Sequence, residues 1–177
     1  AGLPQEILDY VAATYGGEIP VFADPVSTTY ARKLRGSLHG YTALKPNRIE
    51  TEIIAGCAVD SDAALRRACE TLLGRGLQRV VVSLGRDGSL YCDNTGRALR
   101  VHSAPLDEVV NATGAGDAFM GALVYASLSG FSVEETLTFA TAASRMAILH
   151  QNTINPNISA ENVWAAARSA GITVTPV

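Results

Sequence analysis

The seven residues Asn111-Ala112-Thr113-Gly114-Ala115-Gly116-Asp117 set small side chains and one carboxylate at the mouth of a long apolar stretch. Small residues let a backbone approach a bulky anion closely. If the stretch that follows is a helix, its first N–H groups lack intrahelical partners and carry partial positive charge. Together these features make a cradle for phosphate oxygens. A carboxylate directly after such a cradle is placed to accept a proton from an attacking hydroxyl. Phosphoryl transfer needs that pair: an oriented nucleophile and neutralised charge on the moving group. The ordinary alternative is a Gly-rich turn capped by Asp117, which is common helix-start chemistry. The residues alone leave both readings open. A Walker A loop is excluded, because no Lys-Ser or Lys-Thr follows the glycines.

A second pair lies upstream. Asn47 and Glu50 stand at i and i+3, and so share one face of a helical turn. Mg2+ takes oxygen ligands and keeps several waters, so one amide oxygen and one carboxylate can hold it through water. The same two residues also read as an N-cap and its capping-box partner. Asp24-Pro25-Val26-Ser27 ends a short apolar run, at the kind of strand end where open α/β sheets place ligands. Ser27 reads equally well as a helix cap, and Lys33 as part of a solvated helix face. His39, His102 and His150 have no metal-ligand spacing. Trp164 and the tyrosines form no stacking array for single strands and read as packing residues.

The elements that must position these residues follow from periodicity and punctuation. Helices are expected over Pro4–Tyr15, Thr28–Arg35, Arg48–Ala55, Asp62–Arg75, Ala115–Leu128, Val133–His150 and Ile158–Ala170. Ser132 and Glu135 have capping-box spacing for the helix from Val133. Strands are expected over Ile19–Ala23, Tyr41–Leu44, Arg79–Leu84, Ser89–Cys92, Ala98–His102 and Ile172–Val174, with an Asn94-Thr95-Gly96 turn. Val109-Val110 reads as apolar and extended. Strands alternating with helices imply βαβ units and a largely parallel sheet.

Composition bounds the class. The chain has 177 residues, with 47% hydrophobic and 18% charged, which suits a buried α/β sheet. A net charge of −3 gives no footprint for nucleic acid. No apolar run reaches the length of a membrane span, and no signal peptide opens the chain. Cys57, Cys69 and Cys92 are odd in number and widely spaced, so they read as buried free thiols of a cytoplasmic protein.

The run Thr113-Gly-Ala-Gly-Asp-Ala-Phe-Met-Gly-Ala-Leu closely resembles the C-terminal signature of the PfkB, or ribokinase-like, carbohydrate kinase family. The resemblance implies a three-layer α/β/α fold with a mostly parallel sheet. It implies Asp117 as catalytic base, and Gly114, Ala115 and Gly116 as amide donors to the transferring phosphate. Asp117 would also touch the acceptor, and Thr113 the phosphates. The family often has Asp where this chain has Asn111, and binds a monovalent cation near there. K+ on the Asn111 and Thr113 backbone is the corresponding expectation. Asn47-Arg48-Ile49-Glu50 matches the family motif that organises Mg2+ and the ATP phosphates. Ser83 and Gly85, with Gly88 beside them, resemble its nucleotide-contacting segment, although Asp87-Gly88 also reads as a plain hairpin turn. Thr141 to Ser144, with Asn152 and Asn155, correspond to the adenine pocket. Ala142 and Ala143 read rather as helix-packing positions.

Asp24 to Thr29, Lys45 to Glu50 and Ile154 to Asn157 look most like the pseudouridine kinase branch. That branch transfers phosphate from ATP to the 5′-hydroxyl of a nucleoside, with Asp24 and Ser27 then on the substrate side. The alternatives are another ribokinase-like kinase, for ribose, adenosine or a ketohexose, and a non-catalytic nucleotide-binding module. The likeness places residues 1–177 in the C-terminal part of a single kinase domain, without its N-terminal strands and lid. The expected consequences are a raw sheet edge, exposed apolar surface and poor phosphate transfer by these residues alone. A homodimer is a further candidate state of the full-length protein.

Overall fold

A computed structural model of the chain describes residues 3–36 and 38–177. The strands run in the order β1 (Phe22–Ala23), β2 (Ala43–Leu44), β3 (Arg79–Ser83), β4 (Ser89–Asp93), β5 (Ala98–His102), β6 (Thr173–Pro176). β1, β2 and β3 pair in parallel, as the alternating pattern predicts. β4 turns back antiparallel on β3 through Gly85–Asp87, so the sheet is mixed. Gly88 carries φ +83, and a Cβ there would lie 1.8 Å from the Val101 carbonyl oxygen. Only glycine fits that approach.

Contacts divide the chain into two compact units. The first holds Ala1–Gly85, Ser89–Leu99 and Pro176–Val177; the second holds Arg86–Gly88 and Arg100–Thr175. In the first unit, helices α1 (Gln5–Tyr15), α2 (Thr28–Ala31), α3 (Arg48–Ala55) and α4 (Asp62–Leu73) accompany the strands. Its core joins Leu38, Leu44, Ile54, Leu65, Leu72 and Leu77 to Val80 and Val82 of β3. The continuous apolar run of β3 is what a strand covered on both faces requires. Cys69 and Cys92 are buried free thiols as expected, whereas Cys57 is exposed, just beyond the left-handed C-cap Gly56 of α3.

α1 contributes no buried residue, and Leu3, Ile7, Tyr10 and Tyr15 stand in solvent. β1 is the outermost strand and only two residues long. It is shorter than the expected Ile19–Ala23, with Ile19 56% exposed. β1 is thus the edge strand of the sheet, and Leu3 and Ile7 line a cavity with Phe22 and Ala23 of that strand.

In the second unit α5 (Ala115–Leu128), α6 (Val133–Ile148) and α7 (Ala160–Ser169) pack through small and aromatic residues. Ala122 and Ala126 of α5 and Ala140, Ala143 and Ala147 of α6 are buried, which lets the helix backbones approach. Ala142 is fully buried and Thr141 bonds back to the Leu137 carbonyl, so both serve the helix. Trp164 packs at a tilt against Phe139 and Phe131, with ring centroids 5.3 and 5.5 Å away, the packing role its sequence suggests. α7 begins at Ala160 rather than Ile158 because Ser159 caps it. Val109 and Val110 are exposed and lie in no strand.

Candidate active site

The 111–117 loop opens α5. Gly114 is its N-cap at φ +86, and no side chain caps the helix. A Cβ on Gly114 would lie 2.2 Å from the Thr153 carbonyl oxygen, so only glycine fits there. The Ala115 N–H reaches the Ala112 carbonyl at a long 3.4 Å. Among the described residues, the N–H groups of Gly116 and Asp117 find no acceptor. Asp117, in the first turn, is exposed, and its carboxylate takes no hydrogen bond or ion pair among those residues. The alternative of a turn capped by Asp117 is thus not what the loop forms. Among the described residues it leaves two amides without acceptors and a carboxylate without a partner beside them.

The loop is braced from the far end of α6. The Val110 and Asn111 N–H groups both donate to the Ile148 carbonyl, at 3.1 and 3.0 Å. Asn111 Nδ2 donates to the Gln151 carbonyl at 3.1 Å, and Asn111 Oδ1 accepts from the Thr113 N–H at 2.9 Å. Asn111 therefore shapes the loop with its side chain. Its carbonyl and that of Thr113 accept no hydrogen bond among the described residues, which suits a K+ ligand pair. Asn155 is buried, with Nδ2 on the Met146 carbonyl and Oδ1 accepting from Asn157, so it pins the segment rather than facing out. Asn152 is exposed, held through its backbone N–H to His150 Nδ1 at 3.1 Å.

In the first unit, Asn47 and Glu50 start α3 with a complete capping box. Asn47 Oδ1 accepts from the Glu50 N–H at 2.9 Å, and Glu50 Oε2 accepts from the Asn47 N–H at 2.8 Å. One carboxylate oxygen, Glu50 Oε1, stays outside the box. Among the described residues no group of three or more His, Cys, Asp or Glu could cage a metal ion. One carboxylate oxygen suits Mg2+, which keeps most of its waters and arrives with a nucleotide's phosphates. Ser83 ends β3 next to this box, its N–H on the Pro46 carbonyl at 2.9 Å and its hydroxyl on the same oxygen at 3.4 Å. Gly85 is left-handed at φ +62 with open space around it. Ser27 caps α2, accepting from the Tyr30 N–H at 3.4 Å.

Two features escaped the sequence. Lys45 is 6% exposed, and its ammonium lies 2.8 Å from Asp24 Oδ2. Asp24 Oδ1 also accepts from the Val26 N–H at 3.2 Å, and Val26 takes φ +62. A β-branched residue in that region is strained. The Lys-Pro-Asn sequence gave no signal for the pair, because the partner follows a different strand, β1. Thr153, which walls Gly114, was equally invisible.

Among the described residues no helix is long and apolar enough to cross a membrane. The family model described as pfkB family carbohydrate kinase matches residues 8–160. Pseudouridine kinase of Escherichia coli (strain K12) is 37% identical over 153 residues, which is 86% of this chain and 48% of that protein. A 1-phosphofructokinase of Haemophilus influenzae is 37% identical over 109 residues, 62% of this chain and 34% of that one. The crystal structure of a candidate sugar kinase from Clostridium perfringens superposes with a TM-score of 0.92 at 28% identity, covering 99% of this chain and 55% of that chain. The chain spans about half the length of the proteins it matches over most of its residues. The fold is ribokinase-like, and the chain belongs to the pfkB family of carbohydrate kinases.

Proposed function

We propose that these residues carry the phosphoryl-transfer loop of an ATP-dependent nucleoside kinase, acting on the 5′-hydroxyl of pseudouridine. The observation that carries this reading is the start of α5: among the described residues, the Gly116 and Asp117 amides find no acceptor, and the Asp117 carboxylate beside them is unpaired. Charge developing on a transferring phosphoryl group is stabilised by donors already aimed at it. Gly114, Ala115 and Gly116 supply that backbone, and Thr113 stands at its edge. Asp117 orients the acceptor hydroxyl and takes its proton as the new O–P bond forms. In the first unit, Ser83 and Gly85 contact the nucleotide, and Glu50 with Asn47 holds Mg2+ through water. Bound Mg2+ would neutralise charge on the nucleotide's phosphates. The Asn111 and Thr113 carbonyls are the candidate ligands for K+. Asn152 is the candidate adenine contact.

Pseudouridine is proposed as acceptor because the likeness to the Escherichia coli enzyme runs through 86% of the chain. The likeness to a 1-phosphofructokinase supports a sugar phosphate as the second reading, over a shorter stretch of 62%. A panel of pseudouridine, ribose, adenosine and fructose 1-phosphate, assayed with the full-length protein and ATP, separates them. Turnover of pseudouridine at least tenfold above the others is expected. An equal rate on ribose or a higher rate on fructose 1-phosphate would move the assignment to another branch.

A further inference from the structure

The Lys45 and Asp24 side chains, 7% and 19% exposed, form an ion pair largely withdrawn from water. Taking both charges out of water costs nearly as much as their attraction returns, so such a pair is a poor means of stabilising a fold. Its location points to another use. Asp24 and Lys45 each stand one residue beyond the C-terminal end of a parallel strand, β1 and β2. That is the edge of an open α/β sheet where ligands bind.

Contacts run outward from the pair in both directions within the first unit. On one side, Asp24 Oδ1 holds the Val26 N–H and with it the left-handed Val26, and Ser27 then caps α2. On the other, the Lys45 N–H bonds the Ala23 carbonyl at 3.0 Å. Pro46, next in sequence, accepts the Ser83 N–H, and Asn47 opens the capping box with Glu50. A strained turn and the Asn47–Glu50 box therefore share one charge pair, with Lys45 buried and Asp24 half-buried. Strain of this kind persists only where the surroundings over-determine it.

We propose that Lys45 and Asp24 are a positioning pair for the acceptor. The Lys45 ammonium fixes the Asp24 carboxylate, and so the 24–27 turn, against the segment that carries Asn47 and Glu50. Asp24 then acts through the turn rather than by touching the acceptor itself. This inference rests on the kinase reading above.

The test uses Lys45→Met, Asp24→Asn and the double variant in the full-length protein, with KM for acceptor and for ATP, kcat and melting temperature measured for each. Each single change is expected to raise the acceptor KM by about tenfold, and the double variant to be no worse than the poorer single one, because residues acting as a unit are non-additive. Lys45→Arg, which keeps the charge, is expected to recover part of the loss. Three results would overturn the inference alone: a folded double variant within threefold of wild type, additive effects of the two changes, or a double variant that does not fold. A wild type that phosphorylates nothing in the panel would remove the kinase reading and the inference with it.

Discussion

Two helix starts in this chain differ in how they treat their own first amides. α3 is capped by side chains: Asn47 and Glu50 each satisfy the other's backbone N–H, while the Arg48 and Ile49 N–H groups find no acceptor among the described residues. α5 is open: its N-cap is glycine, no side chain caps it, and the Asp117 carboxylate has no partner among the described residues. α2, α4, α6 and α7 follow the first pattern, with Ser27, Ser61, Ser132 and Ser159 as caps. A side-chain-capped start gains stability from its cap, and at α3 it keeps one carboxylate oxygen, Glu50 Oε1, outside the box. An open one forgoes that stability and keeps its donors for an anion. The contrast separates two motifs that look alike in sequence, since each offered a capping explanation beside a functional one. The capping explanation describes α3. It does not describe α5.

The comparison is broken most severely at Gly114. A methyl group there meets the Thr153 carbonyl at 2.2 Å and must also hold a left-handed φ of +86. Gly114→Ala is expected to shift the cradle and lower kcat by about a hundredfold, the scale on which lost oxyanion donors act. Steady-state kinetics of the full-length variant checks it. At α3 the expected loss is in stability. Asn47→Ala removes the cap and should cost about 1 kcal/mol, read as a lower denaturation midpoint at unchanged m-value. Gly121, inside α5 but clear of the loop, has open space around it. Gly121→Ala should stabilise by roughly 0.5–1 kcal/mol through helix propensity, showing that α5 tolerates side chains away from its start. The smallest effect concerns Ser89, whose hydroxyl is the one buried side-chain polar atom without a partner among the described residues. Ser89→Ala should leave the melting temperature unchanged or slightly raised, because a buried unsatisfied hydroxyl contributes nothing and costs desolvation.

Local signals carried most of the fold. α3 and α5 begin and end where their caps and periodicity place them, at Arg48–Ala55 and Ala115–Leu128. β3 and the β4–β5 turn were legible from a β-branched run and an Asn-Thr-Gly turn. Boundaries drifted where tertiary pairing sets the length. β1 shrinks to Phe22–Ala23, because only those residues pair with β2. α6 stops at Ile148, whose carbonyl is taken by Val110 and Asn111. In the candidate site, the residues of the 111–117 loop could be read in sequence. Their bracing could not: it comes from Ile148, Gln151 and Thr153, which lie more than thirty residues further on. The Lys45–Asp24 pair was hidden for the same reason, since its geometry exists only once β1 and β2 are in register.

The claim at the centre is that the open start of α5 transfers phosphate, with Asp117 as base. Asp117→Asn keeps the shape of the side chain and removes its capacity to take a proton. In the full-length protein, turnover is predicted to fall by about 10²–10⁴-fold, while ATP binding by titration calorimetry stays within about threefold of wild type. A variant that keeps turnover within tenfold of wild type would contradict the account.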